Sequence, residues 1–308
     1  MWRLKPPSAC LALGIAMSAE QIREQAKMHA KSVLERTGDE KLKKALQAWL
    51  VHGDLEEETV KLSDAVREAL AETSETGADV EFLKAREDAL TRKAVWMVGG
   101  DGWAYDIGYG GLDHVLATGR NLNVLVMDNE LYANTGGQSS KATPTGASVQ
   151  FAAAGKETPK KDLGLILSTY GYIYVAQVCI GANPEHLIKA LKEAAAYDGP
   201  SIVIAYAPCI NHGLAKGMAK AMDEGKAAVE CGFWPLYRYN PDVEKAGGNP
   251  FTLDSAEPNG KLREYMMGET RFASLTRTFP ERAERLFAEA EDFTARRYAK
   301  YKRLAGKD

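Results

Sequence analysis

The first third of the chain carries a helical pattern of apolar and charged positions. Between residues 18 and 93 proline is absent, and apolar side chains recur at helical spacing, as in Leu42, Ala45, Leu46 and Trp49. This period is typical of helices that bury one face. We therefore predict a helical segment packed on the rest of the protein, with a capping box formed by Ser18 and Gln21 and a turn at residues 52–54.

From Ala94 onward, short apolar runs alternate with helical stretches. The pattern predicts strands at residues 94–98, 124–127, 172–179 and 202–206, and helices at residues 105–118, 184–197 and 280–304. The first run has the continuous apolar character of a strand buried on both faces. Alternating strands and helices predict an α/β fold, a parallel sheet with helices on both faces, preceded by the helical segment.

One connection in this α/β region is long. Residues 130–161 form a polar stretch rich in glycine, serine and threonine. A loop of this length in a compact domain is usually functional.

Composition excludes several classes of protein. The 308 residues are 45% hydrophobic and 26% charged, with a formal net charge of −3, so no basic patch indicates a nucleic-acid or membrane-surface partner. No apolar run approaches the roughly 20 residues of a membrane-spanning helix. The four cysteines contain no CxxC pair, which favours reduced thiols in a cytoplasmic protein over a disulfide scaffold.

Polar residues follow two of the predicted strands where each strand ends. Asp101 follows the first run, and Asn129 follows the second, 28 positions later. This separation suits one strand–helix–strand unit, so both residues should lie side by side at the carboxyl edge of the sheet, where ligands bind in such folds. A carboxylate and an amide oxygen are both suitable ligands for Mg²⁺.

The glycines around Asp101 extend this prediction to a phosphate ligand. Gly99, Gly100 and Gly102 would let a bulky phosphate approach the backbone, and the helix that follows offers free N–H groups. A diphosphate bridged by Mg²⁺ would fit such a site. The alternative is that both polar segments only form turns at the ends of strands.

Two longer stretches resemble the pyruvate:ferredoxin (flavodoxin) oxidoreductase family. Residues 99–113 read GGDGWAYDIGYGGLD, and residues 132–146 read YANTGGQSSKATPTG. A short Gly-Asp-Gly followed by Asn is the general thiamine diphosphate fingerprint, and these longer stretches are far more specific. The resemblance runs from about Gly14 to the carboxyl terminus.

The resemblance implies roles at matching positions. Mg²⁺ would be held by Asp101, by the Asn129 side chain and by the backbone carbonyl of Leu131. The cofactor site would be lined by Gly100, Gly102 and Trp103. Asn134 would face the substrate and the reactive carbon of thiamine diphosphate. In the family, pyruvate loses carbon dioxide, coenzyme A takes the acetyl group, and electrons pass through iron–sulfur clusters to ferredoxin or flavodoxin.

A third stretch, YAPCINHG at residues 206–213, resembles the family segment that donates one thiolate to the [4Fe-4S] cluster nearest the thiamine. By resemblance Cys209 would be that ligand, although a cysteine after a strand is more often buried packing. Such a cluster needs four thiolates, and the family's other three have no counterpart in this chain. We expect Cys179 and Cys231 to be structural.

Other family parts are also absent from this sequence, including the domain that completes the thiamine site. We therefore expect a chain that needs other oxidoreductase domains or subunits, and a homodimer of the complete enzyme. The expected organisation is a non-matching leader at 1–13, a helical segment at 14–93 and a thiamine diphosphate-binding domain at 94–308. The leader favours a truncated piece of a longer enzyme, and it weakens the signal-peptide outline of residues 1–19.

Three other functions stay open at this point. The chain could belong to another thiamine enzyme, such as an acetolactate-type decarboxylase or synthase, although residues 134–146 and Cys209 favour the oxidoreductase. It could also be a non-catalytic module that binds a partner. A dinucleotide-binding domain is disfavoured because no GxGxxG motif opens a helix.

Overall fold

The computed structural model describes residues 8–55 and 58–307. These form two compact units: one comprises Leu11–Val95, and the other comprises Trp96 onward together with the described residues up to Cys10. Residues 1–7 of the predicted leader lie outside the described residues. The domain boundaries at 13/14 and 93/94 remain a prediction.

The first unit is helical, as predicted. Its helices are α1 (Ser8–Arg36, which begins in the other unit), α2 (Glu40–His52), α3 (Thr59–Glu72) and α4 (Ala78–Ala85), followed by a 3₁₀ turn at Glu87–Ala89. The apolar stripe of α2 supplies Leu42, Leu46 and Trp49 to the core of this unit. Helix α2 ends at His52 and is followed by Gly53, which confirms the predicted turn.

The predicted capping box at Ser18 is wrong. Helix α1 begins at Ser8, so Ser18 lies in the helix interior with an exposed side chain. Residues 8–17 are rich in alanine, leucine and methionine, which favour helix, and they extend the helix upstream of the capping signal. A local cap sequence does not start a helix where its neighbours already propagate one.

The second unit contains a six-stranded mixed sheet. Its strands are β1 (Trp96–Gly100), β2 (Asn123–Asp128), β3 (Tyr174–Val178), β4 (Ser201–Tyr206), β5 (Tyr237–Tyr239) and β6 (Phe251–Leu253). The strand order is β1-β2-β4-β3-β5-β6. The first four are parallel, whereas β5 is antiparallel to both of its neighbours.

The helices of this unit follow the strands in the chain. They are a π-helix at Gly102–Ile107, α5 (Tyr109–Ala117), α6 (Leu163–Ser168), α7 (Pro184–Ala196), α8 (Ala221–Glu230), α9 (Pro241–Lys245), α10 (Leu262–Gly268), α11 (Thr270–Thr278) and α12 (Pro280–Leu304); 3₁₀ turns lie at Ala133–Thr135 and Met218–Lys220. None of the described helices is both long and apolar enough to span a membrane.

The two faces of the sheet are covered by different helices. Helix α7 packs against Ala176 and Val203, whereas α6 approaches Val175, whose side chain alternates to the other face. The predicted α/β class is therefore confirmed, with all four predicted strands in one sheet. The short strands β5 and β6, which extend the sheet antiparallel at one edge, were not predicted.

The prediction that the first strand is buried on both faces is wrong. Val98 in β1 is 61% exposed, and Met127 in the neighbouring β2 is 45% exposed. Strand β1 is an edge strand. The apolar cluster beneath α7 fully buries residues of β3 and β4, but it buries Trp96 of β1 and Leu125 of β2 only partly. An apolar side chain on β1 therefore stays accessible in the described chain.

A charged network joins α7 to the antiparallel edge. Arg238 in β5 donates through Nε and Nη2 to Asp254 at 3.0 and 2.9 Å, and through Nη1 to Glu193 at 2.7 Å. His186 Nε2 lies 2.9 Å from Asp254 Oδ2. Burial opposes ionisation of Asp254, but the hydrogen bonds from His186 and Arg238 outweigh it and lower the pKa of Asp254 to about 2.

This network predicts a specific acid sensitivity. Because the folded-state pKa of Asp254 lies below its ordinary value of 3.8, its contribution to stability is complete above about pH 4 and is lost as pH falls to about 2. Over this window the wild type should lose about 1–2 kcal/mol more unfolding free energy than Asp254→Asn in urea titrations. Asp223→Asn, at an exposed ion pair, is the control; equal pH dependence in wild type and Asp254→Asn would contradict the assignment.

Candidate functional site

The carboxyl ends of β1 and β2 bring Asp101 and Asn129 together. The strands are parallel, with Gly100 paired to Met127, so the residues that follow lie at one edge. The backbone N–H of Asn129 donates to Asp101 Oδ1 at 3.2 Å. The predicted proximity of these two residues is observed.

The side-chain amide of Asn129 faces two further oxygen atoms. One of its terminal atoms lies 2.9 Å from Asp101 Oδ1 and 3.0 Å from the carbonyl oxygen of Leu131. As the amide nitrogen, this atom donates to both oxygens; as the amide oxygen, it completes a group of three converging oxygens. Neighbouring ligands around an octahedral Mg²⁺ at about 2.1 Å are about 3.0 Å apart, so the spacing fits such an ion.

Asp101 is a buried carboxyl that lacks a full set of hydrogen-bond partners. It is 2% exposed, and its Oδ2 atom has no hydrogen-bond partner among the described residues. Burial, together with the nearby Asp128 carboxylate, raises the pKa of Asp101 to about 8, although Lys160 offsets part of the effect. A cation bound at Oδ2 would stabilise the ionised form of this carboxyl, so the residues present fit a divalent metal.

The donor set differs from a side-chain metal cluster. Among residues 8–55 and 58–307, no three His, Cys, Asp or Glu side chains group as a metal site. The candidate set instead combines one carboxylate, one amide and one backbone carbonyl. Such a set leaves positions for phosphate oxygens and water, as Mg²⁺ sites commonly do.

A π-helix starts directly after Asp101. It spans Gly102–Ile107, and Gly108 N donates to Trp103 O, five residues earlier, at 2.8 Å. Such segments are rare and often mark functional sites. The indole of Trp103 folds back over Gly99, where a Cβ atom would overlap the ring.

The three glycines at this edge differ in the space that surrounds them. A Cβ on Gly102 would overlap the ring of Tyr132, and Gly99 is similarly restricted by Trp103. Gly100 alone opens to free space, with no atom within 4 Å of an added Cβ. Free space therefore lies beside Gly100, whereas aromatic rings occupy the space beside Gly99 and Gly102. That these glycines admit a phosphate stays a prediction.

Long-loop residues 130–138 extend the site. Asn134 lies in the 3₁₀ turn Ala133–Thr135 and is exposed. The turn is held by hydrogen bonds from Tyr132 N to Gln138 O at 3.0 Å and from Gly137 N to Tyr132 O at 2.9 Å. Asn134 is thus presented to solvent by an ordered loop at the same edge of the sheet.

The Cys209 segment lies against this loop. Asn211 packs on Gly137, where a Cβ atom would overlap its side chain. Cys209 is 1% exposed, and its Sγ lies 3.3 Å from His212 Nδ1 and accepts from His212 N at 3.4 Å. Burial raises the pKa of this thiol, with a partial offset from Arg271.

The remaining cysteines stand apart from this arrangement. Cys179 and Cys231 are buried as free thiols, and Cys10 is an exposed one. Burial raises the pKa of Cys231 to about 12, so it stays protonated. These observations agree with a structural role for the two buried cysteines.

Sequence reasoning missed a buried ion network beneath the site. Lys160 Nζ donates to Asp128 Oδ2 at 2.7 Å and to Glu130 Oε1 at 3.1 Å. Arg271 donates to Glu130 Oε2 at 2.6 Å and to Glu269 Oε2 at 2.5 Å. Burial opposes ionisation of Glu130, but the two cations outweigh it and lower the pKa of this carboxyl. The network joins three segments that are far apart in the chain, at residues 128–130, 160 and 269–271, so no local spacing in the sequence indicates it.

The two glycine environments predict opposite results for matched substitutions. Gly102→Ala should destabilise the protein by about 1–3 kcal/mol, because the Tyr132 ring must move. Gly100→Ala should change stability by less than about 0.5 kcal/mol, because its Cβ meets no atom. Urea unfolding of both variants checks this, and a larger loss for Gly100→Ala would contradict the arrangement.

Comparison with known proteins gives consistent matches. Residues 73–205 match the family model "Thiamine pyrophosphate enzyme, C-terminal TPP binding domain", a range that includes Asp101, Asn129 and Asn134 and ends before Cys209. Pyruvate:ferredoxin oxidoreductase of Moorella thermoacetica is 50% identical over 297 residues, covering 95% of this chain and 25% of that protein. Pyruvate-flavodoxin oxidoreductase of Klebsiella pneumoniae is 46% identical over 301 residues, covering 98% and 26%.

The chain therefore spans about a quarter of the length of these curated relatives. Among solved structures, 2-oxoglutarate:ferredoxin oxidoreductase from Magnetococcus marinus superposes with a TM-score of 0.38 at 22% identity. This match covers 56% of this chain and 63% of that one.

Proposed function

This chain belongs to the thiamine pyrophosphate-binding part of the pyruvate:ferredoxin and pyruvate-flavodoxin oxidoreductase family, and we propose that it holds the diphosphate of thiamine diphosphate through Mg²⁺. The observation that carries the proposal is the convergence of Asp101, the Asn129 amide and the Leu131 carbonyl, with atoms 2.9 and 3.0 Å apart. The buried Oδ2 of Asp101 has no hydrogen-bond partner among the described residues, so a cation could bind there.

Each residue has a defined part in this proposal. Asp101, Asn129 and Leu131 hold the cation, while the open backbone at Gly100 admits the diphosphate. Gly102 and Trp103 line the site by shaping the π-helix beside it. Thiamine diphosphate, when bound, supplies the nucleophilic carbon that decarboxylation of a 2-oxoacid requires.

Asn134 is proposed to orient the substrate. It lies exposed on an ordered turn, and its amide can both donate to and accept from a 2-oxoacid. The proposed substrate is pyruvate, with coenzyme A as acetyl acceptor, giving acetyl-CoA and carbon dioxide. Ferredoxin or flavodoxin would take the electrons in a cytoplasmic enzyme.

The site on this chain is proposed to work together with other oxidoreductase domains or subunits, in a homodimer of the complete enzyme. Cys209 is proposed as one thiolate of a [4Fe-4S] cluster whose other ligands come from outside this chain. Its burial beside the Asn134 loop supports this role, because electrons leaving the substrate would have a short path to it. The chain alone is not expected to complete the reaction.

Titration calorimetry with thiamine diphosphate tests the cation site. We expect binding to the full chain that requires Mg²⁺, and Asp101→Ala should weaken it at least about tenfold, because the only carboxylate ligand is lost. Asp113→Ala, a carboxylate change on α5 of the same strand–helix–strand unit, should bind like the wild type.

Two outcomes would overturn the proposal. Cofactor binding that is indifferent to Mg²⁺ would exclude the cation site. No binding at millimolar cofactor, even with the remaining oxidoreductase domains added in trans, would favour a non-catalytic module instead.

Iron reconstitution tests Cys209. In a complex with the remaining oxidoreductase domains, Cys209→Ser should lower the iron content by about four atoms per chain and reduce visible absorbance, because one cluster loses a thiolate. Cys231→Ser, which changes a buried free thiol directly after α8, should keep the full iron content. Equal iron in both variants would exclude Cys209 as a ligand.

A further inference from the structure

A strained backbone turn lies between two of the candidate cation ligands. Glu130 has a φ of 71°, in the left-handed region that a side chain other than glycine or asparagine rarely adopts. Its carboxylate is also buried, at 1% exposure. Strained backbone of this kind persists only where the surrounding structure over-determines it, and it clusters at functional sites.

The turn decides where the ligands point. Asn129 and Leu131 flank Glu130, and an extended chain would place them one above the other along the strand direction. The left-handed residue between them instead folds the Leu131 carbonyl back, to 3.0 Å from the Asn129 amide. Without the turn at Glu130, two of the three candidate ligands would not converge.

Side chains from distant segments hold this turn. Arg271 donates two hydrogen bonds to the turn, from Nη2 to Glu130 Oε2 at 2.6 Å and from Nη1 to Asn129 O at 3.3 Å. Lys160 Nζ binds Glu130 Oε1 at 3.1 Å, and Thr143 Oγ1 donates to Glu130 O at 2.7 Å. Both the side chain and the backbone of the turn are therefore restrained.

Arg271 is itself fixed in place. It is 0% exposed, and Glu269 Oε2 accepts from its Nε at 2.5 Å. Glu269 Oε1 in turn accepts from Tyr206 at 2.7 Å and from Tyr265 at 2.9 Å. These contacts fix the planar guanidinium in one orientation, in which two of its N–H groups donate to the turn. A lysine ammonium could not make the same pair of hydrogen bonds.

We propose that Arg271 is a positioning residue for the cation site, acting through Glu130, with Lys160 as a second support. Its side chain binds Glu130, Glu269 and the backbone carbonyl of Asn129. In this way it holds the left-handed turn that directs the Asn129 amide and the Leu131 carbonyl toward Asp101. The inference rests on the proposed function for the identity of the bound ion. The restraint of the turn does not depend on that identity.

Arg271→Lys in the full chain tests the proposal against a purely structural role. The matched control is Arg238→Lys, since Arg238 also binds two carboxylates, Asp254 and Glu193, but at the antiparallel edge. The first measurement is the half-saturating Mg²⁺ concentration for thiamine diphosphate binding by calorimetry. We expect it to rise at least about tenfold in Arg271→Lys and to stay within about twofold in Arg238→Lys.

A cation comparison adds a measurement that a loss of stability alone would not change. Mg²⁺ demands a near-ideal octahedron, whereas Ca²⁺ tolerates irregular, flexible ligands. A loosened turn should therefore lower the preference for Mg²⁺ over Ca²⁺ in Arg271→Lys. An unchanged Mg²⁺ requirement and an unchanged preference, in a folded variant, would overturn the proposal.

Amide hydrogen exchange separates this inference from the proposed function. If the wild type binds no cofactor, the exchange rate of the backbone amides of residues 128–135 tests the restraint of the turn. Exchange at least tenfold faster in Arg271→Lys than in Arg238→Lys supports the restraint, and equal exchange overturns it. If Arg271→Lys does not fold, Glu130→Gln, which keeps the volume and removes the charge, is judged by the same three measurements.

Discussion

An excess of buried carboxyl groups over cationic side chains at the ends of β1 and β2 is the constraint on which the candidate site depends. Four carboxylates and two cationic side chains are buried there: Asp101, Asp128, Glu130, Glu269, Lys160 and Arg271. Burying a charge is costly unless it is paired. Lys160 and Arg271 pair with three of the carboxylates and leave the fourth, Asp101, with an unpartnered oxygen and a pKa of about 8. Within this cluster the carboxyl oxygen that lacks a partner is therefore Asp101 Oδ2, at the point where a divalent cation would bind.

Much of the fold could be predicted because its signals are local. Apolar runs ending in Asp101 and Asn129 predict both the parallel pair and the edge at which these side chains meet, and the structure agrees. A local signal fails where the neighbouring residues favour a different structure. The capping signal at Ser18 fails because strong helix formers upstream start the helix earlier. Strands of three residues, such as Tyr237–Tyr239, carry too few positions for a period to be recognised.

The support of the site could not be predicted from sequence for a different reason. Arg271 binds the carbonyl of Asn129 across 142 positions of chain, and no spacing rule joins an arginine at a helix start to a strand end so far away. The left-handed conformation of Glu130 could not be predicted either, because glutamate, unlike glycine, does not favour a positive φ. Both features emerge only when β1, β2 and β4 are assembled and α11 is placed beside their polar ends.

Stability alone does not account for the buried network. Replacing buried ion pairs with apolar side chains of similar volume is often neutral or stabilising, so these charges are not needed for stability alone. Their effect on geometry is specific. The segment that carries Arg271 also accepts from Ser148 N at 2.7 Å in the long loop, and Thr270 N donates to Gly213 O at 3.2 Å beside the Cys209 segment. One segment therefore braces the cation-binding turn, the loop that presents Asn134 and the segment that holds Cys209. An apolar core could keep the two backbone hydrogen bonds, but it would lose the side-chain bonds that hold the turn at Glu130. A site built from three strand ends tolerates little movement of that turn.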